Sequence, residues 1–405
     1  MTNENENAKV KEPRSLSEIL ADVEATEIWK QQAHEKVGQQ ANKKLEQHVQ
    51  NLLFRIEILK TRIHDPNRSD EIKQTFEEAI KLEESNALKR VAMWEYVSYL
   101  EEQGDCETAI PLAEKYLTYI EPNGDKSQIA DATNMLGQLY AATGATKQAQ
   151  QKFIQANGIY EQLVAENPSV SYQAKLARND YDLCTLYADY GDSQHMDLAE
   201  QGFLRAKKIY EQLVAENLTE CLPDLANTCN DLGNLYSDMY RMSKAERELL
   251  RAKKIREQLV AENPSAYLPD LVRSYNDLGI LYSDMDRMSK AEIELLRAKK
   301  VGEQLAIENP SVDHRAKLAR ICYNLGNLYA DTDQKDKAEQ ELFRSKKIYE
   351  RLVAEDQLTY LIDLAKTCSC LGTLYSCMNR PELANEEFCR SRDLFEQDSK
   401  IHKFR

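Results

Sequence analysis

The sequence has few of the residues that form tight turns in chains built from many short elements. Its 405 residues include only 13 glycines and 10 prolines. A fold made of many short strands needs frequent turns, and turns rely heavily on these two residues. Their scarcity argues against a strand-rich fold and favours long helices joined by short connections. The apolar fraction, 42%, is still sufficient for a sizeable core.

Positive charge is also in short supply. Lysine and arginine together number 53 against 68 aspartates and glutamates, which gives a formal net charge of -15. A protein that binds nucleic acid neutralises phosphates with a basic face, so this charge argues against a nucleic-acid partner. Three Arg-Ala-Lys-Lys runs are the main local exceptions, and we interpret them as solvated helix faces paired with nearby glutamates. They are Arg205–Lys208, Arg251–Lys254 and Arg297–Lys300.

Long apolar runs and paired cysteines are absent as well. No run approaches the roughly 18–20 residues that a membrane span requires, and residues 1–14 are polar, without the apolar core of a signal peptide. The nine cysteines are scattered and form no C-x-x-C pair. This usage is typical of reduced thiols. We therefore expect a cytoplasmic protein with no membrane span.

Recognisable catalytic motifs are missing too. The chain has no phosphate-binding loop of the G-x-x-x-x-G-K-S/T type, no G-x-G-x-x-G, no H-E-x-x-H and no G-x-S-x-G. Its six histidines are dispersed, and the cysteines near Cys368 lack the spacing of zinc ligands. The sequence therefore predicts a protein that is not an enzyme, with no catalytic residues, no cofactor and no metal.

The strongest positive signal is self-similarity along the chain. A Leu-Gly-x-x-Tyr motif recurs, and one copy has Cys184 in place of the glycine. The tyrosines of successive copies lie 47, 49, 46, 47 and 46 residues apart. A fixed period of this length is the signature of a repeat architecture. The copies are Leu136–Tyr140, Leu183–Tyr187, Leu232–Tyr236, Leu278–Tyr282, Leu325–Tyr329 and Leu371–Tyr375.

A second pattern follows each motif. Alanine stands nine residues after most of the tyrosines, a large apolar residue follows four residues later, and a small residue three residues after that. Spacings of three and four place these residues on one face of a second helix, whose small residues allow close packing. Asn-Pro pairs such as Asn263-Pro264 predict where second helices end, since the residue before proline avoids the helical conformation. Pro223 and Pro269 predict the starts of first helices.

The order Leu-Gly-x-x-Tyr, then Ala-x-x-x-Phe/Leu-x-x-Ala, resembles the tetratricopeptide repeat (TPR). The period is longer than the usual ~34 residues, as in kinesin-light-chain-like and bacterial arrays. The period alone would also suit HEAT or armadillo units. The resemblance implies an all-α, right-handed α-solenoid of stacked antiparallel helix pairs. We expect a disordered tail at 1–14, an N-terminal helical segment at 15–87, about seven pairs at 88–398 and a C-terminal tail at 399–405.

The N-terminal segment contains a short heptad pattern. Apolar residues recur in a 4-3-4-3-4 rhythm between residues 45 and 63. One interpretation is a coiled coil that joins two chains as a homodimer through 45–63. The other is a helical bundle that packs on its own chain and caps the array. Fewer than four heptads favours the second. The heptad residues are Leu45, Val49, Leu52, Ile56, Leu59 and Ile63.

The resemblance implies a concave groove lined by the first helix of each pair, where a protein or peptide partner would bind. Three sets of side chains recur beside the packed face of these helices. A basic row lies five residues before the motif leucine, an acidic row lies six residues after it, and polar residues lie between them. The basic row is Arg178, Arg273, Arg320 and Lys366. The acidic row is Asp189, Asp238, Asp284 and Asp331. The polar positions include Tyr181, Asn230, Asn234, Asn276, Tyr323 and Asn327.

These observations favour one function and leave two alternatives open. The first is a non-enzymatic scaffold that holds an extended peptide or a partner domain in the groove, with amides on the peptide backbone and charged rows setting its direction. The second is a bacterial peptide-sensing regulator with an N-terminal effector bundle, since the layout resembles aspartate-phosphatase-type proteins. The third is an enzyme with chemistry that the motifs do not reveal.

Overall fold

The computed structural model describes residues 51–52, 55–57, 60, 68–81, 86–122, 125–355 and 358–404. Within these ranges the regular elements are all helices, so the predicted all-α class is confirmed. The chain divides into two compact units, Met1–Lys152 and Phe153–Arg405. No helix within the described ranges combines the length and apolar content needed to cross a membrane.

The first unit contains the N-terminal helices. In chain order these are α1 (Arg68–Lys81), α2 (Asn86–Glu102), α3 (Cys106–Ile120) and α4 (Lys126–Ala142). The helices pack around an aromatic and aliphatic core, in which the rings of Phe76 and Tyr96 stack with their centroids 4.9 Å apart. α2 and α3 form the helix pair that precedes the first motif. Between them Gly104 adopts a φ of +75°, a conformation that glycine reaches without steric cost.

Two of the six heptad residues lie within the described residues of this unit. Ile56 is buried in the same core cluster as Phe76, and Leu52 packs with Ala79 and Ala92. These contacts are to helices of the same chain, which is what a capping bundle requires. The rest of the 45–63 pattern, like the expected tail at 1–14, lies outside the described residues. Dimerisation through 45–63 therefore stays a prediction.

The second unit begins within α5 (Thr146–Glu166) and continues as an α-solenoid of five complete helix pairs. In each pair the first helix carries the Leu-Gly-x-x-Tyr motif and the second carries the alanines. The first helices are α6 (Val170–Tyr190), α8 (Leu222–Asp238), α10 (Pro264–Asp284), α12 (Val312–Asp331) and α14 (Leu361–Cys377). The second helices are α7 (Ser193–Ala215), α9 (Met242–Glu262), α11 (Met288–Glu308), α13 (Lys335–Ala354) and α15 (Pro381–Phe404).

The motif residues hold the two helices of a pair together. Gly233 faces Leu249 so closely that a Cβ at Gly233 would lie 2.7 Å from the leucine Cγ. Only glycine fits there, because any side chain would overlap the second helix. The motif tyrosine joins neighbouring pairs instead, since the Tyr236 hydroxyl donates to the Glu200 carboxylate of the preceding second helix at 3.0 Å.

Neighbouring second helices are joined by ion pairs. The first lysine of each Arg-Ala-Lys-Lys run reaches a glutamate of the next second helix, and the glutamates are largely buried. The expected pairing with glutamates is thus confirmed for that lysine, whereas the expected solvated face is wrong for it, because its side chain is largely buried between helices. Losing one partner of a buried pair would cost about 3–5 kcal/mol, because the other charge would stay desolvated. The pairs are Lys207–Glu248, Lys253–Glu294, Lys299–Glu341 and Lys346–Glu387.

Two helix boundaries lie where the sequence predicts them, and two others do not. α9 ends at Glu262, directly before Asn263-Pro264, as predicted. Pro223 stands in the first turn of α8, also as predicted. Pro269, however, lies inside α10, because the Asn263 side chain accepts the Ala266 amide and caps an earlier turn. α15 continues to Phe404, beyond the expected boundary at residue 398.

Candidate functional site

The first helices of the second unit form one polar surface, which we call the first-helix face. Half of the basic row is neutralised on it. Arg178 donates from Nη1 to Asp224 Oδ1 at 2.7 Å, and Arg273 pairs with Asp231 of the preceding first helix. Arg320 and Lys366 are exposed. Among the described residues no carboxylate lies within ion-pairing distance of either of them.

The central amides are used to join helices. Asn230 is fully buried, donating from Nδ2 to Asp277 at 2.7 Å and accepting from Arg256 at 2.8 Å. Asn276 is also buried and accepts from the amide of Asn324 at 2.8 Å. The structure therefore places these two predicted site residues in contacts between α8, α10 and α12, where their polar atoms already have partners.

A buried guanidinium completes this network. Arg256 lies on α9 with only 1% of its surface exposed, and it donates to Asn230, Ser274 and Asn227 at 2.7–2.8 Å. Burial lowers its pKa, because the charged form loses water that these neutral acceptors only partly replace. Removing any one acceptor would leave a buried donor unsatisfied, which typically costs 1–3 kcal/mol.

Two tyrosines extend the same kind of link along the face. The Tyr181 hydroxyl donates to Asp231 of the next first helix, and Cys370 donates from Sγ to the Tyr323 hydroxyl at 3.4 Å. Burial and the contact with Cys370 raise the pKa of Tyr323 to about 12. Each bond joins a first helix to the next one along the array. Together with the amide contacts, these bonds form a polar ladder.

Sequence reasoning missed two members of this ladder, Asp231 and Asp277. Asp277 accepts from Asn230 and, at 3.3 Å, from Asn234, while Asp231 receives both Tyr181 and Arg273. Both aspartates stand directly before the motif leucine. Aspartate recurs at that position, and Asp277 lies four residues after Arg273. This recurrence was the signal that could have revealed them.

Among the described residues, the acidic row, like Arg320 and Lys366, is not used in ion pairs between helices. All four carboxylates are exposed, and within the described part of the chain none has a cation within ion-pairing distance. Partial desolvation raises the pKa of Asp189, Asp238 and Asp284, and repulsion from Asp284 adds to the rise at Asp238. The row is therefore a set of uncompensated negative charges repeated along the first helices.

The structure also bears on the cysteines and on metal binding. The nine cysteines are free thiols. In the ranges that the structure describes, no cluster of three or more histidine, cysteine or acidic side chains could hold a metal ion. The first-helix face offers hydrogen-bonding and charged groups.

Comparison with family models identifies the repeat directly. Two tetratricopeptide-repeat models match the chain, one over residues 225–265 and one over residues 319–352. The first match covers α9 with most of α8, and the second covers the motif of α12 with most of α13. No curated protein matches the sequence.

Several solved structures share the fold. A Rap protein complexed with competence and sporulation factor has 15% identity and a TM-score of 0.58, covering 88% of this chain and 87% of its own. Aspartyl phosphate phosphatase F from Bacillus subtilis has 17% identity and a TM-score of 0.54, covering 87% and 82%. The Rap conjugation gene regulator of plasmid pLS20, in complex with the Phr* peptide, has 14% identity and a TM-score of 0.51, covering 88% and 92%. At these identities the likeness concerns the fold alone.

Proposed function

We propose that this chain, a tetratricopeptide-repeat protein, binds an extended segment of a partner protein along the first-helix face. The acidic row is the observation that carries the proposal. Many charges of the second unit pair between helices, whereas within the described residues Asp238, Asp284 and their equivalents have no cation within ion-pairing distance. Such a row costs electrostatic energy in the free protein, and a cationic ligand would remove that cost.

The spacing of the row sets the expected form of the ligand. Packed helices lie about 8–10 Å apart, and an extended chain rises about 3.1–3.4 Å per residue. Basic side chains three residues apart would therefore face successive aspartates. Asn327, whose amide contacts Tyr323 on the part-exposed side of α12, would donate to the backbone of the segment.

Two further observations support the proposal. A fold relative, the regulator of plasmid pLS20, was solved in complex with a peptide. In this chain the described cysteines are all free thiols, which supports a cytoplasmic location for the scaffold. We keep the expectation that it acts by binding, without an enzymatic activity of its own.

Charge reversal of the acidic row tests this function. The probe is a fluorescein-labelled peptide with lysine at every third residue, and the readout is fluorescence anisotropy at fixed salt. We expect the triple variant Asp238→Lys, Asp284→Lys, Asp331→Lys to weaken binding at least ~100-fold, since each aspartate contributes on the order of tenfold. Affinity capture from native lysate with the same variant would then identify the natural partner.

A matched control separates local from net charge. Glu216, Glu262 and Glu308 are exposed at the ends of second helices. Their triple replacement by lysine changes the net charge by the same amount, away from the first-helix face. Binding should fall far less in this variant. Equal losses in both triple variants, or unchanged affinity in the acidic-row variant, would discard the proposal.

The regulator alternative has a separate test. The Rap-type structures resemble this chain over most of both chains. If the chain acts on a phosphorylated response regulator, purified protein should accelerate loss of its phosphate. Compaction on addition of a peptide, measured by small-angle scattering, would instead indicate a regulator that works without catalysis.

A further inference from the structure

One position of the second helices is occupied by a large residue in every repeat but one. It lies 24 residues after the motif leucine, or 27 in the copy that carries a three-residue insertion. In the interior of the second unit its side chain is almost completely buried. The exception is Gly302 on α11. The occupants are Tyr160, Tyr210, Arg256, Gly302, Tyr349 and Phe395.

The tyrosines at this position fill the space between two first helices. Tyr349 packs against Ala319 of α12 and against Leu364 and Cys368 of α14. Tyr210 is in the same core cluster as Ala177 and Leu225, which hold the matching places on α6 and α8. A tyrosine ring therefore fits between the two first helices in the repeats that carry one.

Gly302 leaves the corresponding space without a ring. A cavity of about 180 Å³ lies between α10 and α12, and its lining includes Val272 and Ile321. Val272 is the equivalent of Ala319 and Ala177, and a Cβ on Gly302 would point to Ile321 at 3.4 Å. A cavity of roughly 150 Å³ with apolar walls is enough for one benzene ring. The space is thus large enough for an aromatic ring, with Val272 and Ile321 as apolar walls and polar side chains around them.

Positively charged side chains lie around the opening of the cavity. Arg273, Lys317 and Arg320 contribute to its lining together with one carboxylate, Asp277, which accepts from Asn230 and Asn234. Arg273 is paired with Asp231, and Lys317 contacts Asp313 at 2.7 Å. Arg320 has no carboxylate partner among the described residues, so its guanidinium is the cation left for a ligand.

We propose that this cavity, the Gly302 pocket, takes a phenylalanine or tyrosine ring of the bound segment, with a carboxylate beside the ring held by Arg320. The proposal rests on the proposed function, because it assigns one residue of the segment that the first-helix face binds. The carboxylate is either the C-terminus of the segment or an acidic side chain next to the aromatic residue. The lining amides of Asn234 and Asn276 already bond to neighbouring helices and so fix the walls.

Small aromatic probes test the pocket without the rest of the segment. N-acetyl-4-fluorophenylalanine, its amide, and the amide of N-acetyl-aspartyl-4-fluorophenylalanine are titrated with the full chain and followed by ¹⁹F NMR. We expect a dissociation constant on the order of 1 mM for whichever acidic probe matches the source of the carboxylate. Tighter binding of the free acid assigns a C-terminus, and tighter binding of the aspartyl amide assigns an acidic side chain.

Three variants give the expected pattern. Gly302→Tyr should abolish binding, because the ring of the variant occupies the cavity as Tyr349 does in the next repeat. Gly302→Ala, the matched control, should stay within about twofold of wild type, since one methyl fills little of the space. Arg320→Gln should weaken the acidic probe about tenfold and leave the neutral amide unchanged.

Three results would overturn the proposal. They are wild-type binding in Gly302→Tyr, equal binding of the neutral and acidic probes, or no effect of Arg320→Gln. If Gly302→Tyr does not fold, the Arg320 comparison decides alone. The acidic-row variants should still bind these probes, so failure of the pocket and failure of the proposed function give different results.

Discussion

At the level of single residues, the charges of the second unit fall into two groups. Lys253, Arg273 and many other cations are matched by carboxylates of a neighbouring repeat. The acidic row is left unmatched within the described residues, and Asp284 repels Asp238 from the neighbouring first helix. Residues that lower stability persist where function requires them, which is why the unmatched group is the better guide to a ligand.

The raised pKa values of Asp238 and Asp284 give a prediction about pH. Each group binds its proton more tightly in the folded state, so its contribution to stability is greatest in acid. That contribution is lost as the pH rises from the unfolded value of ~3.9 through the folded pKa. We expect Asp238→Asn with Asp284→Asn to raise the unfolding free energy at pH 7, by less than about 1 kcal/mol.

The gain should shrink as the pH falls toward 4, where both wild-type carboxyl groups begin to protonate. Thermal unfolding of both proteins across this pH range measures it. Glu262→Gln, which removes one exposed carboxylate outside the row, is measured in parallel as a control for the loss of a charge. A double variant that is less stable than wild type at pH 7 would contradict the assignment of uncompensated charge.

Sequence could identify these residues only in part. The basic and acidic rows recur at fixed positions, so helical spacing was enough to find them. The burial of Asn230 and Asn276 was not readable, because asparagine recurs equally well on a solvated face and in a buried contact. The Gly302 pocket arises from a residue that differs in one repeat, so the pattern shared by the repeats does not reveal it.

At the level of helices, one pair shows how packing positions change together. Cys184 takes the motif glycine position on α6, and Gly202 faces it from α7, where later pairs have a glutamate. A Cβ on Gly202 would lie 2.1 Å from Cys184 Sγ. In this pair the small residue lies on the second helix instead of the first. Because Gly202 stands where later pairs have a glutamate, this pair lacks the glutamate that joins later second helices.

This exchange predicts a coupled response to mutation. Gly202→Ala should destabilise the wild-type protein by about 1 kcal/mol or more, because the methyl overlaps the thiol. In a Cys184→Gly background the same change should cost little, which gives a coupling energy of roughly 0.5–3 kcal/mol. Urea unfolding of the four proteins of the cycle measures it. Additive losses would mean that the two helices do not contact as described.

The helix pairs were the most predictable part of the structure. Leu-Gly-x-x-Tyr marks a close helix contact that only small residues permit, so every copy has glycine at this position except one, which has Cys184. Helix starts were harder, as Pro269 illustrates, because a cap several residues upstream can add a turn before the proline. The order of the helices was thus readable, whereas the bonds between repeats required coordinates.

For the whole second unit, stability is expected to be a sum over repeats and their interfaces. Residues 236–265 and 282–311 are nearly identical in sequence, so the ion pairs around them recur, although Arg256 of the first is replaced by Gly302 in the second. Arg241 and Arg287 each reach a glutamate of the preceding second helix, and Lys207 and Lys253 each reach one of the next.

Deletion of the 46 residues 236–281 tests this additivity. The deletion joins Leu235 to Tyr282 and restores an intact motif, with Glu294 in the place of Glu248. We expect a folded protein with unchanged helicity per residue and an unfolding free energy lower by about 2–7 kcal/mol. Circular dichroism and urea unfolding measure both. Deletion of 236–278 alone, which breaks the register, should abolish cooperative unfolding. Equal behaviour of the two deletions would refute the additive picture.

The polar ladder and the ion pairs of the second helices imply unequal stiffness on the two faces of the array. First helices are tied by short side chains such as Asn230 and Asp277, which lose contact after a small displacement. Second helices are tied by long ones such as Lys253 and Glu294, which can follow a neighbour as it moves. When the array bends, the second helices should therefore separate first, while the first helices keep their spacing. A segment bound along that face would therefore keep its spacing while the array flexes.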